Sequence, residues 1–509
     1  MSERFDLTII GAGPGGYEAA FEAARLGFRT ALVEKDTLGG TCLNRGCIPT
    51  KTLIHTAELY EEIKNAARFG IHAEPPVLDW NAVRQHKTDT IAALQKGIAT
   101  RLKAAKVAVY QGSGSVVPGF FTAGKGQPMG TNPVSGEAVH RVLITAADGS
   151  VTTLETERVL LATGSVPAVP PIPGHDLPGV MTSDDLLAYD GEPLESLLII
   201  GGGVIGVEFA GIWQSFGTKI TILEALPSLI ANLDRELSQS LKLSLKKKGA
   251  DIHTGANVHF LSPAEGGICC TYLEKEQEQT CTAQAVLIAT GRRPFTEGLF
   301  PDATETAPAR ETPPPMRSAA ERDSDAEIAS RFRVAMERGR ILMDDDYETS
   351  IPGIYAIGDV IGTLPLAHAA TAQGKKAVRH MAGKDAGNSC ELVPSCIYTS
   401  PEIASVGLTL EQAKSRGIAA RSHKILSSAN GKSVLTMQER GFIKVVYEEQ
   451  SHVLLGAHML CARATDMISE FALAIQRGLT MEEMAEVVRP HPSFSEMITD
   501  AVTSVPMLV

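Results

Sequence analysis

The sequence predicts an α/β protein with two parallel-sheet domains and a C-terminal α+β domain. Three observations support this: an internal repeat, a glycine turn at the same place in each copy, and a change of pattern after about residue 390. The repeat pairs TIIGAGPGGYEAAFEAARLGFRTALVEK, from Thr8, with LIIGGGVIGVEFAGIWQSFGTKITILEA, from Leu198. Gly11 corresponds to Gly201, Gly27 to Gly217 and Glu34 to Glu224, all at one constant offset along the chain. Each copy reads as a buried strand, a glycine turn, an amphipathic helix and a second strand ending in glutamate. Such a βαβ unit implies a parallel sheet with a right-handed crossover.

The chain has 509 residues, so about three or four domain-sized units are expected. Hydrophobic residues are 44% and charged residues 21%, the balance of a soluble globular protein. A net charge of −12 argues against a broad phosphate-backbone surface. No apolar run approaches the roughly 20 residues that span a bilayer. The start is read as lacking a signal or transit segment, since it passes almost at once into the apolar Phe5 to Ile10. A cytoplasmic protein without membrane or nucleic-acid partners is expected. The eight cysteines, at 42, 47, 269, 270, 281, 390, 396 and 461, are too sparse for a secreted disulfide framework and form no CxxC zinc pattern. No metal site is expected.

Val159 to Gly164 and Val286 to Gly291 each read as a strand entering a glycine turn, and Ile354 to Asp359 as a third. A Pro-rich linker covers Pro167 to Pro178. Past residue 390 come short alternating strands, such as Gly441 to Tyr447, then helical periodicity over Thr465 to Arg477 and Thr480 to Val488. Phe120 to Glu137 and Pro301 to Glu327 have the composition of solvated inserted loops.

Gly11, Gly13 and Gly16 follow a strand and open a helix, with Glu34 at the end of the next strand. The glycines permit a tight turn and close approach of a pyrophosphate to the helix N-terminus, and Glu34 can accept from a ribose. Gly201, Gly203, Gly206 and Glu224 repeat this set, making both units Rossmann-like and nucleotide-binding. A carboxylate at 224 suits the free 2′-hydroxyl of NAD and repels the 2′-phosphate of NADP; Ala225, Leu226 and Pro227 supply no arginine for that phosphate.

GGTCLNRGCIPTK, Gly39 to Lys51, places Cys42 and Cys47 just before or within the start of a long helix, Thr50 to Phe69. Helix N-termini favour thiolates, so the pair can be redox-active. Spacing alone leaves two buried thiols as the other reading. Near the end, HPSFSE sets His491 five residues before Glu496. A histidine oriented by a carboxylate is a general acid or base near neutral pH, although a surface histidine beside a helix acid has the same pattern.

These elements, in this order, resemble the pyridine nucleotide–disulfide oxidoreductases over almost the whole chain outside the two insertions. GGTCLNRGCIPTK is the most specific match, and ATGRRPF, IPGIYAIGDV, LAH and HPSFSE follow in order. Among the family's branches the resemblance is strongest to the one that oxidises dihydrolipoyl groups. It implies an FAD-binding domain over 1–165, an NAD-binding domain over 166–298, a central domain over 299–389 carrying the 301–327 insertion, and an interface domain over 390–509. FAD would be held through Gly11, Gly13, Gly16, Glu34, Lys51, Gly114, the Thr163, Gly164 and Ser165 turn, Asp359, and the segment Pro365, Leu366, Ala367 and His368. NAD would be held through the second glycine set, with Glu224 on the adenosine ribose and Val258 and Gly291 lining the site. Lys51 and Glu208 resemble the family's ion pair beside the flavin. Cys42 resembles the interchange thiol that meets substrate, and Cys47 the flavin-proximal thiol. His491, oriented by Glu496, would be the base contributed by the other subunit of a homodimer. A lipoyl-bearing carrier protein or free dihydrolipoamide would be the substrate.

Arg45 stands where the family commonly has valine, and Pro490 where it has a small residue; under the resemblance, these are the positions where the channel that admits the lipoyl arm would differ from the family's. Glutathione-type reductases need basic residues after the second βαβ unit, and mercuric reductases a C-terminal cysteine pair, whereas this chain has Glu224 and ends VPMLV. Reduction of another low-molecular-weight disulfide with NADH or NADPH is the alternative activity. A non-catalytic flavoprotein conflicts with the presence of Cys42, Cys47, His491 and Glu496 together.

Overall fold

The computed structural model describes residues 3–119, 139–300, 334–385, 387, 390–438 and 440–503. The two stretches read as insertions, 120–137 and 301–327, lie outside the described residues. The chain forms two compact units, each assembled from three segments. The first comprises Met1–Ile48, Asp89–Val166 and Arg292–Cys390, and the second Pro49–Thr88, Pro167–Gly291 and Glu391–Val509.

In the first unit the strand Glu3–Ile10 lies between two parallel neighbours, Thr30–Glu34 and Val151–Leu161, and Ala108–Gln111 adds a fourth strand beyond Thr30–Glu34. Thr30–Glu34 is buried at all five positions, as a strand covered on both faces must be. The 11-residue strand Val151–Leu161 serves two partners along its other edge. Its first half pairs antiparallel with His140–Thr145, which in turn pairs with Ser113–Val117. Its last three residues pair in parallel with Ile354–Ala356. Leu7, Ile9, Leu32, Leu160, Leu161 and Ile354 form the centre of this unit's core.

The second unit repeats the parallel arrangement in the order Asp251–Thr254, Lys219–Glu224, Ser196–Ile200, Ala285–Ile288, Val180–Thr182. A three-stranded antiparallel meander, Ala256–Ala264, Gly267–Glu274 and Gln277–Ala283, packs on it through Ile268, Cys270, Tyr272 and Ala283. The expected C-terminal α+β region is a five-stranded antiparallel sheet in the order Ser395–Ile397, Glu402–Gly407, Leu454–Cys461, Phe442–Glu448, Ala420–Leu426. The helices Ala464–Arg477 and Glu496–Thr503 pack on it through Ile468, Phe471, Met497 and Ile498.

Two local readings are revised. The strand read as alternating over Gly441–Tyr447 runs Phe442–Glu448 and is buried on both faces at its first six positions. Lys444 sits within it because Asp234 and Glu236 both accept from its Nζ at 2.9 Å. The helix expected from Thr50 begins at Cys47 and ends at Lys64. There the Asn65 side chain donates to Glu61 O at 2.7 Å, competing with helix propagation, and Ala66–Phe69 continues as a 3₁₀ turn.

Candidate functional site

The first glycine turn is sterically obligatory. Gly11 has φ +103°, and a Cβ there would stand 2.4 Å from Ala162 O; a Cβ on Gly16 would stand 1.9 Å from Gly11 O. Gly13 differs, since among the described residues its Cβ would meet nothing within 4 Å. That open space faces the N-terminus of the helix Pro14–Arg25, which, among the described residues, no side chain caps and no acid occupies in its first turn. A pyrophosphate fits there, accepting from the N–H groups that any helix start leaves without intrahelical partners. Glu34 Oε2 accepts from Ala12 N at 2.7 Å and Oε1 from Asp36 N at 2.9 Å, so the carboxylate is fixed beside the turn with lone pairs left for a ribose. Burial raises the pKa of Glu34, opposed by the Ala12 N–H and the Lys35 charge. Gly114 lies over the end of the first strand, where a Cβ would be 3.1 Å from Ile10 Cγ2.

The second turn repeats this geometry. Gly201 has φ +114°, and its Cβ would be 2.4 Å from Ala289 O; that of Gly206 would be 2.0 Å from Gly201 O, and that of Gly203 would meet nothing within 4 Å among the described residues. Glu224 accepts from Gly202 N at 2.5 Å and Leu226 N at 2.6 Å. A second dinucleotide fits on the same grounds. Gly291, φ +132°, turns the chain after Ala285–Ile288, and Val258 lies half-buried opposite Tyr272 on the meander.

The cysteine pair belongs to two consecutive helices. Cys42 lies in the short helix Gly40–Arg45, entered through Gly39 at φ +101°, and Cys47 is the first residue of Cys47–Lys64. Gly46 between them lets the chain double back: a Cβ there would be 3.3 Å from Cys42 Cα. Both thiols act on one phenol. Burial raises the Tyr17 pKa, and the charges of Glu18, Cys42 and Cys47 raise it further, so the two sulfurs and Tyr17 share one electrostatic neighbourhood. Arg45, where the family pattern differs, is ion-paired with Asp36.

Lys51 follows one turn after Cys47 and pairs with Glu208, Nζ to Oε2 at 2.8 Å, with Glu208 only 4% exposed. Tyr398, which the sequence reading did not single out, completes this group. Its N–H donates to Glu208 Oε1 at 3.0 Å, and the Lys51 ammonium lies 4.6 Å from its ring centre. A buried carboxylate with both oxygens engaged holds the ammonium in one position.

Asp359 sits in the 3₁₀ turn Gly358–Ile361 and ends a chain of contacts from Arg292. Arg292 donates to Ser165 Oγ and to Ser165 O, both at 2.8 Å, and Ser165 Oγ donates to Asp359 Oδ2 at 2.5 Å. Arg292 was visible in ATGRRPF but had no assigned partner until tertiary structure supplied one. Beside it, Thr163 Oγ1 donates to Phe295 O at 2.6 Å, and Phe295 N to Gly164 O at 2.9 Å. Pro365 and Leu366 lead into the helix Ala367–Met381, with Leu366 at its N-cap and His368 in its first turn. That helix meets Pro14–Arg25 at close range: a Cβ on Gly374 would be 2.8 Å from Gly15 O.

His491 Nδ1 and Glu496 Oε1 are 2.8 Å apart. The imidazole is 81% exposed, and Glu496 Oε2 accepts from Ser493 N at 2.8 Å. The Ser493 N–H, then His491, lower the pKa of Glu496 and keep it an anion. Arg489, buried and paired with Glu470 and Thr499, anchors the segment through Pro490 into this pair, a contribution the sequence did not signal. The dithiol therefore belongs to the first unit, and the His491–Glu496 and Lys51–Glu208 pairs to the second. Among the described residues, no group of three or more His, Cys, Asp or Glu is placed to hold a metal ion, and no helix is long and apolar enough to cross a membrane.

Comparison with known proteins agrees with this geometry. Residues 5–311 and 322–374 match the pyridine nucleotide-disulphide oxidoreductase family, and residues 393–502 match that family's dimerisation domain. The dihydrolipoyl dehydrogenase of Chlorobaculum tepidum is 35% identical over 505 residues, covering 98% of this chain and 97% of that protein. The structure of LpdA from Mycobacterium tuberculosis is 26% identical, with a TM-score of 0.82 and 99% of each chain covered. The Cu(II) complex of the HOCl-induced flavoprotein disulfide reductase RclA from Escherichia coli is 27% identical, with a TM-score of 0.79, covering 99% of this chain and 100% of that one. With two glycine turns opening helices, a cysteine pair at a helix start and family matches across nearly its full length, this chain belongs to the pyridine nucleotide-disulphide oxidoreductases.

Proposed function

We propose that the chain is a dihydrolipoyl dehydrogenase, an FAD-dependent enzyme that oxidises dihydrolipoyl groups to lipoyl groups with NAD as acceptor. The observation that carries this is the Cys42 and Cys47 pair at the start of the helix Cys47–Lys64, in a chain 35% identical over nearly its whole length to a dihydrolipoyl dehydrogenase. Functionally we divide it into 1–165 for FAD, 166–298 for NAD, a central 299–389, and an interface domain 390–509. The match of residues 393–502 to a dimerisation domain supports a homodimer.

In this reading the first glycine turn and Glu34 bind the adenosine diphosphate end of FAD, aided by Gly114 and the Thr163–Ser165 turn. Asp359, held by Ser165 and Arg292, and the Pro365–His368 segment bind the rest of the cofactor. Lys51, positioned by Glu208, resembles the family's flavin-side lysine and would help hold the cofactor. Gly201, Gly203, Gly206 and Glu224 bind NAD, with Val258 and Gly291 lining its site. When bound, FAD relays an electron pair between the dithiol and NAD.

The thiol chemistry belongs to the chain. A substrate thiol loses its proton to His491 of the partner subunit, which Glu496 orients and whose positive charge it stabilises. The thiolate attacks Sγ of Cys42 in the Cys42–Cys47 disulfide, and Cys47 leaves as a thiolate. The second substrate thiol then attacks the first sulfur, its proton passing to the departing Cys42, which forms the lipoyl disulfide and releases Cys42 as a thiol. Two electrons and two protons leave the substrate, and the protein holds a reduced dithiol. The 81% exposure of His491 in one chain supports a base that serves a neighbouring subunit. A cytoplasmic setting suits an enzyme whose dithiol must cycle.

A steady-state assay comparing dihydrolipoamide with glutathione-type thiols and their disulfides, using both nicotinamide coenzymes, tests this. Dihydrolipoamide with NAD is expected to have the highest kcat/KM, with NAD favoured over NADP by about tenfold or more, and Glu224→Ala to narrow that ratio. Preferred reduction of another small disulfide, the reading favoured by the likeness to RclA, would replace this one. An unchanged coenzyme ratio in Glu224→Ala would remove the role of Glu224.

A further inference from the structure

The meander of the second unit carries a cysteine pair with no part in the chemistry above. Cys270 and Cys281 are directly opposite one another on the antiparallel strands Gly267–Glu274 and Gln277–Ala283. Strand alternation puts Cys270 on the inner face with Ile268 and Tyr272, fully buried, while Cys281 opposite it is only partly covered. Cys269 faces the other way and is in register with Thr282. The Cys270 and Cys281 side chains hydrogen-bond one another. Directly opposed residues in such a ladder have Cα separations of about 4.5–5.5 Å, inside the range a disulfide accepts.

We propose that Cys270 and Cys281 form a second oxidisable dithiol, separate from Cys42 and Cys47, which hydroperoxides convert into a cross-strand disulfide. The two thiols have unequal roles. Cys281 is the attacking sulfur: it is the accessible one, and Cys270 donates its S–H to it. That hydrogen bond lowers the pKa of Cys281 against burial, and the His253 charge lowers it further. The same contact, followed by burial, raises the pKa of Cys270. His253 is held beside the meander by Glu274, Nδ1 to Oε2 at 2.8 Å, and by Asp251, Nε2 to Oδ2 at 3.1 Å. Burial opposes its positive charge, but the two carboxylates outweigh burial and raise its pKa.

The steps balance with hydrogen peroxide as oxidant. The Cys281 thiolate attacks one peroxide oxygen, the O–O bond breaks, hydroxide leaves and Cys281 becomes a sulfenic acid. The Cys270 sulfur then attacks Cys281 Sγ; the sulfenic hydroxyl leaves and takes the Cys270 proton as water. Two thiols are oxidised to one disulfide and one peroxide is reduced. Among the described residues no third His, Cys, Asp or Glu joins the pair in a metal-binding group, which favours redox chemistry over metal capture.

The test uses the FAD-loaded full-length protein, treated with hydrogen peroxide, alkylated, and digested with trypsin without reductant. Lys275 lies between the two cysteines, so a disulfide joins two separate peptides. The expected product is a linked peptide joining positions 270 and 281, lighter than the two reduced peptides by two hydrogen atoms and lost on reduction. It should also form in Cys42→Ser. In Cys270→Ser, Cys281 should accumulate as a sulfenic acid captured by dimedone, whereas Cys281→Ser should give no label at Cys270. Full alkylation of both cysteines after peroxide, a link from Cys269 to Cys281, or dimedone on Cys270 in place of Cys281 would each overturn the proposal.

Discussion

In the first βαβ unit the helix Pro14–Arg25 carries Glu22 where the second unit's helix, Val204–Ser215, carries Ile212 at the equivalent position of the repeat. The glycine turns ahead of them are alike, with Gly11 at φ +103° and Gly201 at φ +114°, and each helix is entered through a glycine that, among the described residues, makes no side-chain cap bond and faces open space. The helix faces then diverge. The first is lined by Gly15, Ala19, Ala20 and Ala23, small enough for Ala367–Met381 to approach until a Cβ on Gly15 would be 3.2 Å from Ala370 Cβ. Glu22 pins that contact, pairing with Arg25 at 2.8 Å and Arg379 at 2.7 Å. The second face has Phe209, Ile212 and Trp213, and Trp213 packs on Trp80 with ring centres 5.4 Å apart. The cradle is set by backbone geometry that a dinucleotide demands, while the helix face is set by whatever must cover it. Glu18 and Glu208, which also correspond in the repeat, make the same point: one lies between Arg101 and Lys375, and the other, buried, holds Lys51.

If the cradles are equivalent in shape and separate in ligand, damage to each should be specific. Gly11→Ala places a Cβ 2.4 Å from a carbonyl oxygen in a strained backbone region, and Gly201→Ala does the same. The first variant is expected to purify without flavin colour and to bind added FAD at least about tenfold more weakly. The second should stay yellow and show a KM for NAD raised about tenfold or more. Absorbance of the purified proteins and NAD titrations check this; flavin loss from Gly201→Ala with retention in Gly11→Ala would reverse the cofactor assignment.

The helix faces should differ in how their stability responds to pH. The Glu22 carboxyl is held down at about 2, first by the Arg25 hydrogen bond, against burial, and then by Arg379. Because its folded value lies below the ordinary one, its contribution is present above about pH 4.5 and is lost as pH falls toward about 2. Glu22→Gln should cost about 2 kcal/mol at neutral pH, discounted for the exposure of both arginines, and almost nothing in acid. Ile212→Ala should cost about 2–5 kcal/mol with no such titration of its own. Urea unfolding across the pH range separates them, and a flat Glu22→Gln difference would remove the ion pair from the account.

Much of the cradle geometry was legible because it is local. A turn requiring positive φ at Gly11, a helix entered through Gly13 and a carboxylate ending the next strand are all written in the short stretch from Gly11 to Glu34. The Cys42 and Cys47 placement was legible for the same reason, short of the helix start at Cys47. Tyr398 on Glu208, Arg292 through Ser165 to Asp359, and Arg489 behind His491 were not, since each depends on a partner brought in by packing. Phe442–Glu448 was misread as alternating because the layer on its second face, with Asp234 meeting Lys444, comes from another segment. The Cys270 and Cys281 pair depends on strand register, which appears only once the hairpin is formed.

The dithiol is the centre of the account, and Cys47→Ser tests it most directly. The purified variant should retain bound FAD, while dihydrolipoamide-driven NAD reduction falls by roughly a thousandfold or more. Wild-type-like NAD reduction by a flavin-loaded Cys47→Ser protein would contradict the assignment of the reaction to this cysteine pair.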